Sequence, residues 1–382
     1  MKITRVETFA VPPRWLFCRI ETDDGLVGWG EPIVEGRADT VRTAVRELAE
    51  QFLIGADPSR IEDLWQLMTK GSFYRGGPVL SSAVAGIDQA LWDIAGKAFG
   101  APVHQLLGGP VRERARAYSW VGGDEPAAVR DQVTAQVEAG FTAVKMNASG
   151  RMSRLPNLTE LNEVAARAEA AREALGPGRD FAIDLHGRFS TAGAVRAVGV
   201  LEPYAPMFVE EPVLPEYTHL LGRVTEATTL PIATGERLFS RTEALPALQA
   251  GIAVLQPDLS HAGGISESRR IATLAETFDV AVAPHCPLGP LALAASLQLA
   301  FCTPNFLIQE QSIGIHYNKG AELLDYVADR SVFRFEEGHL LRPRGPGLGV
   351  EIDEKAVRAA DGTAESWHNP VWRHADGSFT EW

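Results

Sequence analysis

Six acidic or basic side chains in the sequence each stand at the end of a short apolar run. They are Asp184 in FAIDLH, Glu210 in MFVEEP, Glu236 in PIATGE, Asp258 in AVLQPD, His285 in VAVAPH and Glu310 in FLIQE. The steps between them are 26, 26, 22, 27 and 25 residues. A strand, a helix and two loops fill about that length, so each step predicts one β/α unit. Polar side chains at the same end of consecutive parallel strands meet at one mouth of a barrel, where such folds keep their chemistry. The spacing therefore predicts an active site.

Three of these acids, Asp184, Glu210 and Glu236, fall on neighbouring predicted strands. Clustered carboxylates repel one another unless a cation joins them, and ligands that are all oxygen favour a hard ion such as Mg²⁺. Such an ion would leave positions open for an anionic substrate, which we expect to bind through a carboxylate. Glu211 must point away from Glu210 if the strand continues. A strand cap or an arginine pair would explain any single acid, but it explains all three at this spacing poorly.

Two histidines are candidates for proton transfer. His186 lies two residues beyond Asp184, on the same face of the predicted strand. His285 ends the seventh strand, four strands further around the barrel, so the two imidazoles would face each other across the mouth. Asp258, on the sixth strand, would bind one nitrogen of His285 and make the other a better base. A lone histidine is more often structural, but two beside a carboxylate cluster favour catalysis.

Lys145 and Asn147, in AVKMN on the second predicted strand, share a face by the same alternation. Lys145 would hold a substrate oxygen or neutralise developing charge, and a structural pair with a barrel carboxylate explains it equally well. Glu310 would hydrogen-bond an enolate oxygen if it is protonated, or contact a hydroxyl. Its alternative is an acid bonded to backbone at the end of a strand.

Eight strand candidates alternate with helical patterns and predict a modified TIM barrel, (β/α)7β, with an α+β cap. The candidates are residues 115–119, 142–147, 181–186, 206–211, 230–236, 253–258, 279–285 and 306–311. An antiparallel sheet and helices in residues 1–115 form the predicted cap, and 116–340 form the barrel. Residues 341–382 leave the β/α rhythm, and we expect them to pack back on the cap.

Composition narrows the class of protein. The 382 residues are 45% hydrophobic and 22% charged, which is ordinary for a globular protein, and the formal net charge of −13 argues against nucleic-acid binding. Cys18, Cys286 and Cys302 show neither disulfide nor zinc spacing. The first residues lack the apolar core of a signal peptide, and no apolar run reaches the ~18 residues of a membrane span. We therefore expect a cytoplasmic protein.

These residues resemble the enolase superfamily, specifically its mandelate racemase-like branch, which uses a Lys or His base with Mg²⁺. The family's Asp, Glu and Glu on successive strands match Asp184, Glu210 and Glu236. Its Asp/His dyad matches Asp258 and His285, and its eighth-strand acid matches Glu310. Similarity to the sugar-acid dehydratases of this branch spans nearly the whole chain. It is carried by PPRW, FYRGGP, YSWVGGD, DLHGR, QPDLSHAGGI, APHCPLGP, QEQSIGIHYNKGAELLD, PGLGVEID and NPVWRHADGSFTEW.

The resemblance implies a dehydration with one Mg²⁺ per subunit, in a chain that forms a homo-oligomer. His285 would remove the proton next to the carboxylate of a sugar acid, and His186 would protonate the departing hydroxyl on the next carbon. The implied substrate is D-galactonate, and the implied product is its 2-keto-3-deoxy acid. Racemases of this group carry Lys-x-Lys on the second strand, whereas this chain has Lys145-Met-Asn147. Because Asn147 cannot accept a proton at neutral pH, elimination is favoured over inversion.

Three alternatives remain open at this point: a racemase or epimerase on the same fold, a dehydratase for another sugar acid such as gluconate, and a binding protein without catalysis. Specificity would depend on cap loops around Arg14-Trp15, Glu35–Arg37 and Tyr74-Arg75. His261 fits a site-lining role and a structural role equally well. His316, beside Tyr317 in GIHYNKG, is a further candidate for substrate contact.

Overall fold

The computed structural model describes residues 1–123, 125–147, 149–315, 318, 320–364 and 367–382. The chain begins with a three-stranded antiparallel sheet in the order β1 (Ile3–Val11), β2 (Trp15–Thr22) and β3 (Val27–Gly30). Gly25 makes the turn between β2 and β3 at φ +86°, which glycine adopts without steric cost. Four helices complete the cap: α1 (Ala38–Leu48), α2 (Ile61–Lys70), α3 (Pro78–Phe99) and α4 (Val103–Leu106). A π-helical turn, Ala49–Leu53, continues α1.

Beyond β4 (Arg114–Arg116), seven strands form one parallel sheet whose spatial order is the chain order. They are β5 (Ser119–Trp120), β6 (Ala143–Asn147), β7 (Asp180–Asp184), β8 (Phe208–Glu210), β9 (Ile232–Thr234), β10 (Val254–Leu255) and β11 (Ala281–Val282). The helices between and after them are α5 (Pro126–Glu138), α6 (Leu158–Leu175), α7 (Thr191–Leu201), α8 (Gly222–Thr225), α9 (Arg241–Gln249), α10 (Gly264–Thr277) and α11 (Pro290–Cys302).

An extended segment, residues 305–310, closes this sheet. Phe306 forms a parallel bridge with Val282 of β11, and Gln309 forms one with Ala117 just before β5. The segment therefore lies between the last strand and the first, as the eighth strand of a barrel does. The predicted (β/α)7β barrel with an α+β cap is confirmed.

One buried side chain from each of the eight barrel segments fills the interior. This ring consists of Tyr118, Ala143, Ala182, Phe208, Ala233, Val254, Ala283 and Ile308. Four alanines, two aliphatic side chains and two aromatic rings share this space, which is filled as a packed core rather than left as a channel.

Several predicted strands are longer than the observed ones. The sixth, 253–258, is reduced to β10 and the seventh, 279–285, to β11. Pro257 and Pro284 stand directly before Asp258 and His285, and proline has no N–H for the ladder. Asp258 and His285 still form an isolated parallel bridge, so both residues are held just past the regular sheet.

The remainder of the chain contacts both parts of the molecule. β12 (Phe335–Glu336) and β13 (His339–Leu341) form an antiparallel sheet with β4, which explains why the predicted strand 115–119 is split. α12 (Glu354–Ala360) lies on the cap, where Arg358 Nη2 is 3.0 Å from Glu7 Oε2. The hairpin of β14 (Trp372–Arg373) and β15 (Phe379–Thr380) lies against the barrel instead. The domain boundaries at 115 and 340 stay predictions.

Within the described part of the chain, no helix combines the length and the apolar character that crossing a membrane requires.

Candidate active site

The candidate residues form the layer directly above the interior ring of the barrel. Alternate residues of a strand face the same side, so the residue two positions after each ring member also points inward. This relation places five of the predicted residues at the mouth: Lys145 after Ala143, Asp184 after Ala182, Glu210 after Phe208, His285 after Ala283 and Glu310 after Ile308. The mouth of the barrel is therefore lined by charged side chains above an apolar floor.

Asp184, Glu210 and Glu236 lie close enough together to share one ion. One oxygen from each lies within 4.8 Å of the others, and the register of β7 and β8 pairs Asp184 with Glu210. Among the described residues, Asp184 Oδ2, Glu210 Oε2 and Glu236 Oε2 are buried and make no hydrogen bond of good geometry, although each has one nitrogen nearby, from His186 at 2.9 Å, Lys145 at 2.6 Å and His285 at 3.2 Å respectively. Buried carboxylates this close together repel one another unless positive charge balances them, and hard divalent cations prefer oxygen ligands. The three carboxylates fit a magnesium-type site.

The charges of this cluster affect one another strongly. Burial and the neighbouring Asp184 raise the pKa of Glu210 well above its usual value, despite the nearby Lys145. Burial also acts to raise the pKa of Asp184, but contacts with His186 and Lys145 outweigh it and lower that pKa. Negative charge is thus crowded at this point of the mouth, as a cation-binding site requires.

Lys145 is fully buried among the carboxylates. Its Nζ lies 2.6 Å from Glu210 Oε1, 3.3 Å from Glu310 Oε1 and 3.8 Å from Asp184 Oδ2. Burial alone would lower the pKa of this ammonium, but Glu210 and Glu310 raise it well above the usual value. Two roles were considered for Lys145, a contact with substrate and a pair with a barrel carboxylate. These contacts are of the second kind. Asn147 pairs with Asp184 in the register of β6 and β7, which places it beside the cluster.

Asp258 and His285 form the predicted dyad geometry. His285 Nδ1 lies 2.7 Å from Asp258 Oδ2, and the Ser260 N–H donates to Asp258 Oδ1 at 2.6 Å. Burial acts to raise the pKa of Asp258, but the nearby His261 and His285 lower it below its usual value. An ionised Asp258 accepts a hydrogen bond from the Nδ1–H of His285. The other ring nitrogen, Nε2, then faces Glu236, whose Oε2 lies 3.2 Å away.

His186 reaches the cluster by a different backbone path from the predicted one. The strand range 181–186 is wrong at its end, because β7 stops at Asp184 and His186 adopts a left-handed conformation at φ +49°. The turn folds the ring back, so Nε2 lies 2.9 Å from Asp184 Oδ2. His186 and His285 therefore contact opposite ends of the carboxylate row, at Asp184 and at Glu236.

Glu310 is buried and surrounded by donors. Oε1 accepts from Trp120 Nε1 at 2.5 Å, and Oε2 accepts from the Cys286 N–H at 2.8 Å. Burial acts to raise the pKa of Glu310, but Lys145 and His285 lower it below its usual value. The contacts favour an ionised Glu310, rather than the protonated form that the sequence also allowed.

Glu211 is not part of the carboxylate cluster, but the condition attached to its prediction, that the strand continues, does not hold, because β8 ends at Glu210 and Glu211 lies at φ +44°. It is buried against Arg237, whose Nε lies 2.9 Å from Glu211 Oε1. Burial raises the pKa of Glu211 to about 7 against the opposing charge of Arg237. Glu210 thus faces the mouth, and Glu211 binds Arg237, which lies in the loop after β9.

Two residues that support the site were missed from the sequence. Trp120 follows the ring residue Tyr118 by two positions, so the rule that placed Lys145 would have placed it as well. Glu31 lies at the end of β3 in the cap and accepts from the Gly289 N–H at 2.7 Å and the Ala292 N–H at 3.0 Å. It therefore caps α11, directly after the loop that carries His285.

The remaining candidates are placed as follows. His261 Nδ1 lies 3.0 Å from Ser82 Oγ on α3, and its Nε2 lies 3.8 Å from Asp258 Oδ2, so it joins the cap to the dyad. Among the predicted cap loops, Arg14 pairs with Glu35 at 3.3 Å. The predicted substrate contact His316, with its neighbour Tyr317, lies outside the described residues.

Another predicted cap loop extends into solvent. The side chains of Phe73 and Tyr74 are 89% and 84% exposed, and their rings contact each other at 5.2 Å. This loop therefore lines no closed pocket in this conformation.

A barrel whose mouth carries three carboxylates, with an acid–base residue at each end, defines the class of protein, and comparison with known proteins agrees. Residues 128–356 match the family described as enolase C-terminal domain-like, and residues 8–108 match the mandelate racemase / muconate lactonizing enzyme N-terminal domain. The chain belongs to the mandelate racemase / muconate lactonizing enzyme family of the enolase superfamily.

Within that family, the chain is similar to proteins named D-galactonate dehydratase. It is 55% identical to the one from Ralstonia nicotianae and 53% identical to the one from Pectobacterium atrosepticum, in each case over the full length of both chains. Among solved structures, an enolase from Agrobacterium radiobacter with bound sodium and L-malate is similar at a TM-score of 0.91. Its sequence is 34% identical, and the match covers all of both chains.

Proposed function

We propose that this protein dehydrates D-galactonate to 2-dehydro-3-deoxy-D-galactonate, and that it needs Mg²⁺ to do so. The observation that carries the proposal is the contact of two imidazoles with opposite ends of one carboxylate row. Identity of 53–55% to D-galactonate dehydratases over the full chain supports the choice of substrate.

We propose that Asp184, Glu210 and Glu236 hold the metal ion through their buried oxygens. A bound Mg²⁺ would anchor the carboxylate of the sugar acid and stabilise the charge that develops when the neighbouring C–H bond ionises. Lys145 balances the charge of Glu210 and Glu310 behind the cluster. In this proposal, Asn147, which pairs with Asp184 in the sheet register, would contact a substrate oxygen.

In this proposal, His285 removes the α-proton of the substrate at Nε2. Its Nδ1–H donates to Asp258, which fixes the tautomer and stabilises the imidazolium that forms. Glu310 lies 3.8 Å from Nε2, and its ionised carboxylate adds to this stabilisation. The chain carries Asn147 where a second lysine base would stand in a racemase, so proton removal is expected on one face only.

His186 completes the reaction in this proposal by donating a proton from Nε2 to the hydroxyl that leaves the next carbon. The C–H electron pair becomes the C2–C3 double bond, the C3–O bond breaks, and water departs. The resulting enol tautomerises to the 2-keto acid. His285 takes up one proton and His186 gives one up, so the reaction balances. Exchange of one proton with solvent then returns each residue to its starting state.

Isotope exchange separates the two steps. We expect His285→Asn to abolish both keto-acid formation and exchange of the α-proton with D₂O, because no base remains. His186→Asn is expected to stop keto-acid formation and to retain exchange. Normal turnover by both variants would contradict the assignment. EDTA should inactivate the enzyme and Mg²⁺ should restore it.

A panel of sugar acids, assayed for keto acid, tests the substrate. We expect D-galactonate to give the highest kcat/KM, and a higher value for another acid such as gluconate would reassign the specificity. An inverted acid without keto product would indicate a racemase, and binding without turnover would indicate a binding protein.

We also infer a cytoplasmic homo-oligomer. The three cysteines are free, as is usual for proteins of a reducing compartment, and metabolic enzymes of this family support the same location. Light scattering of the purified protein tests the oligomeric state.

A further inference from the structure

The hairpin β14–β15 lies against the side of the barrel mouth that carries His186. Thr380 is buried, and its hydroxyl donates to Met152 O at 3.1 Å. Arg151, in the same loop after β6, donates to Arg373 O. Two contacts from one barrel loop therefore fix the hairpin where its aromatic side chains reach the candidate site.

Arg188 connects this hairpin to one nitrogen of the His186 ring. Its Nη2 lies 3.3 Å from His186 Nδ1, and its guanidinium lies 5.0 Å from the centroid of the Trp372 ring. The Arg188 guanidinium thus contacts the Nδ1 edge of the ring, and the opposite nitrogen, Nε2, is left towards the barrel mouth. Nε2 is the nitrogen that faces Asp184, and it is the one that must deliver a proton at the mouth.

Trp382 packs directly beside the same imidazole. The ring centroids of Trp382 and His186 are 5.8 Å apart, and their planes are tilted by 44°. Trp382 also lies 6.3 Å from Trp367, whose ring is 5.1 Å from the guanidinium carbon of Arg14 in the cap. A row of aromatic rings thus extends from the cap to His186.

The backbone around His186 is held by hydrogen bonds from the Leu185 and Gly187 N–H groups to Glu210 O and Glu211 O, so the neighbours described above act on the orientation of the ring. His186 stands two residues past the end of β7, on a left-handed turn at φ +49°. A displacement of about 1 Å from a reactive geometry can cost about a hundredfold in rate. The contacts that hold the ring therefore bear on the step that the ring performs.

We propose that Arg188 and Trp382 are positioning residues for His186, so that the hairpin β14–β15 governs loss of the hydroxyl group and not removal of the α-proton. This inference rests on the proposed function, which assigns the first of these steps to His186 and the second to His285.

The kinetic test compares Trp382→Ala, Trp382→Phe and a control within the adjacent hairpin. We expect Trp382→Ala to lower keto-acid formation roughly tenfold to a hundredfold while His285-dependent proton removal continues, so the ratio of α-proton exchange to dehydration rises. Trp382→Phe keeps an aromatic ring beside His186 and should restore most of the rate. Phe379→Ala, at a side chain that is 60% exposed, should leave both rates unchanged.

Two kinetic outcomes would overturn the proposal. If Trp382→Ala lowers exchange and dehydration in the same proportion, the residue acts on the fold or on substrate binding as a whole. If it lowers neither, it does not position His186.

A chemical test needs no substrate. In metal-free protein, diethyl pyrocarbonate should modify His186 several-fold faster in Trp382→Ala than in the wild type, with modification of His285 unchanged, as read by peptide mass spectrometry. An unchanged His186 rate would show that the contact is absent in solution, whatever the substrate. Failure of the wild type to form any keto acid would instead overturn the proposed function, so the two failures are distinguishable.

Discussion

His285 and His186 occupy the same barrel mouth but are held by different parts of the molecule. His285 is fixed by Asp258, which is 99% buried and itself receives a backbone N–H from Ser260. His186 is contacted by Arg188 and by Trp382, which lies two residues past β15 and is 38% exposed. The proposed base is therefore held by a buried residue, and the proposed acid is held partly by a residue that is exposed at the surface.

The cap supports the His285 side through apolar packing and through buried polar contacts. Gln89 of α3 donates to Leu259 O at 2.9 Å, next to Asp258. Asp88 accepts the Ser266 N–H at 3.0 Å, at the start of α10, and Glu31 caps α11. On the proposed roles, proton removal would depend on the packing of cap on barrel, whereas hydroxyl loss would depend on the outer hairpin and the residues that follow it. Each prediction below alters one part of this arrangement.

We expect the largest effect from Glu210→Gln, because Glu210 belongs to the proposed metal site on which both steps depend. Loss of one of three anionic ligands should weaken Mg²⁺ binding and reduce both exchange and dehydration by about a thousandfold or more, since the ion supplies several kcal/mol of stabilisation. Calorimetric titration with Mg²⁺ checks the binding directly. Glu226→Gln, at an exposed position, serves as the control. Unchanged Mg²⁺ affinity in Glu210→Gln would contradict the metal site.

Asp258→Asn should impair only the proposed removal of the α-proton by His285. The amide that replaces the carboxylate no longer stabilises an imidazolium and favours the wrong tautomer, which in a comparable dyad costs about ten-thousandfold. We expect exchange and dehydration to fall together, by about a hundredfold to ten-thousandfold. The contrast with Trp382→Ala, where exchange persists, sharpens the comparison. If exchange survived in Asp258→Asn, the dyad would not serve proton removal.

Glu31→Gln tests how far the cap supports the His285 loop. One of the two backbone N–H groups at the start of α11 would face an amide NH₂, and a buried donor without a partner costs about 1–3 kcal/mol. We expect the free energy of unfolding in urea to fall by that amount. The exposed Glu47→Gln should change it by less than about 0.5 kcal/mol. Equal stability of the two variants would exclude a supporting role.

Asp88→Asn should give the smallest effect, visible only as a dependence on pH. Burial raises the pKa of Asp88 to about 7. A carboxyl group with a raised folded-state pKa contributes stability at low pH that is lost as pH rises towards that value. Asparagine keeps the acceptor for the Ser266 N–H, so the variant should gain stability relative to the wild type as pH rises from about 4 to about 7. Urea unfolding across this range checks the trend, and parallel curves would contradict it.

The sequence predicted the barrel and most of the mouth because both follow local rules. Lys145, Asp184, Glu210 and Glu310 stand at inward positions of short strands, and alternation along a strand is readable from one sequence. Trp120 obeyed the same rule and was overlooked, since its strand has only two residues.

Other features had no local pattern to reveal them. The left-handed turn at His186 places a non-glycine residue at positive φ, and the residue type alone does not predict that conformation. The contact of Glu31 with Gly289 joins residues 258 positions apart, and only the packing of cap on barrel creates it. Tertiary contacts between distant segments were therefore the part that sequence reasoning could not supply.

The turn at His186 separates the two proposed steps within the structure. β7 ends at Asp184, and the Leu185 N–H donates to Glu210 O at 3.0 Å and the Gly187 N–H donates to Glu211 O at 2.8 Å, so the backbone of the turn stays fixed to the end of β8. The imidazole itself, however, is contacted by Trp382 beyond the outer hairpin. On the proposed roles, a substitution at this outer contact would therefore alter the step that follows ionisation of the carbon acid and would leave the ionisation machinery in place.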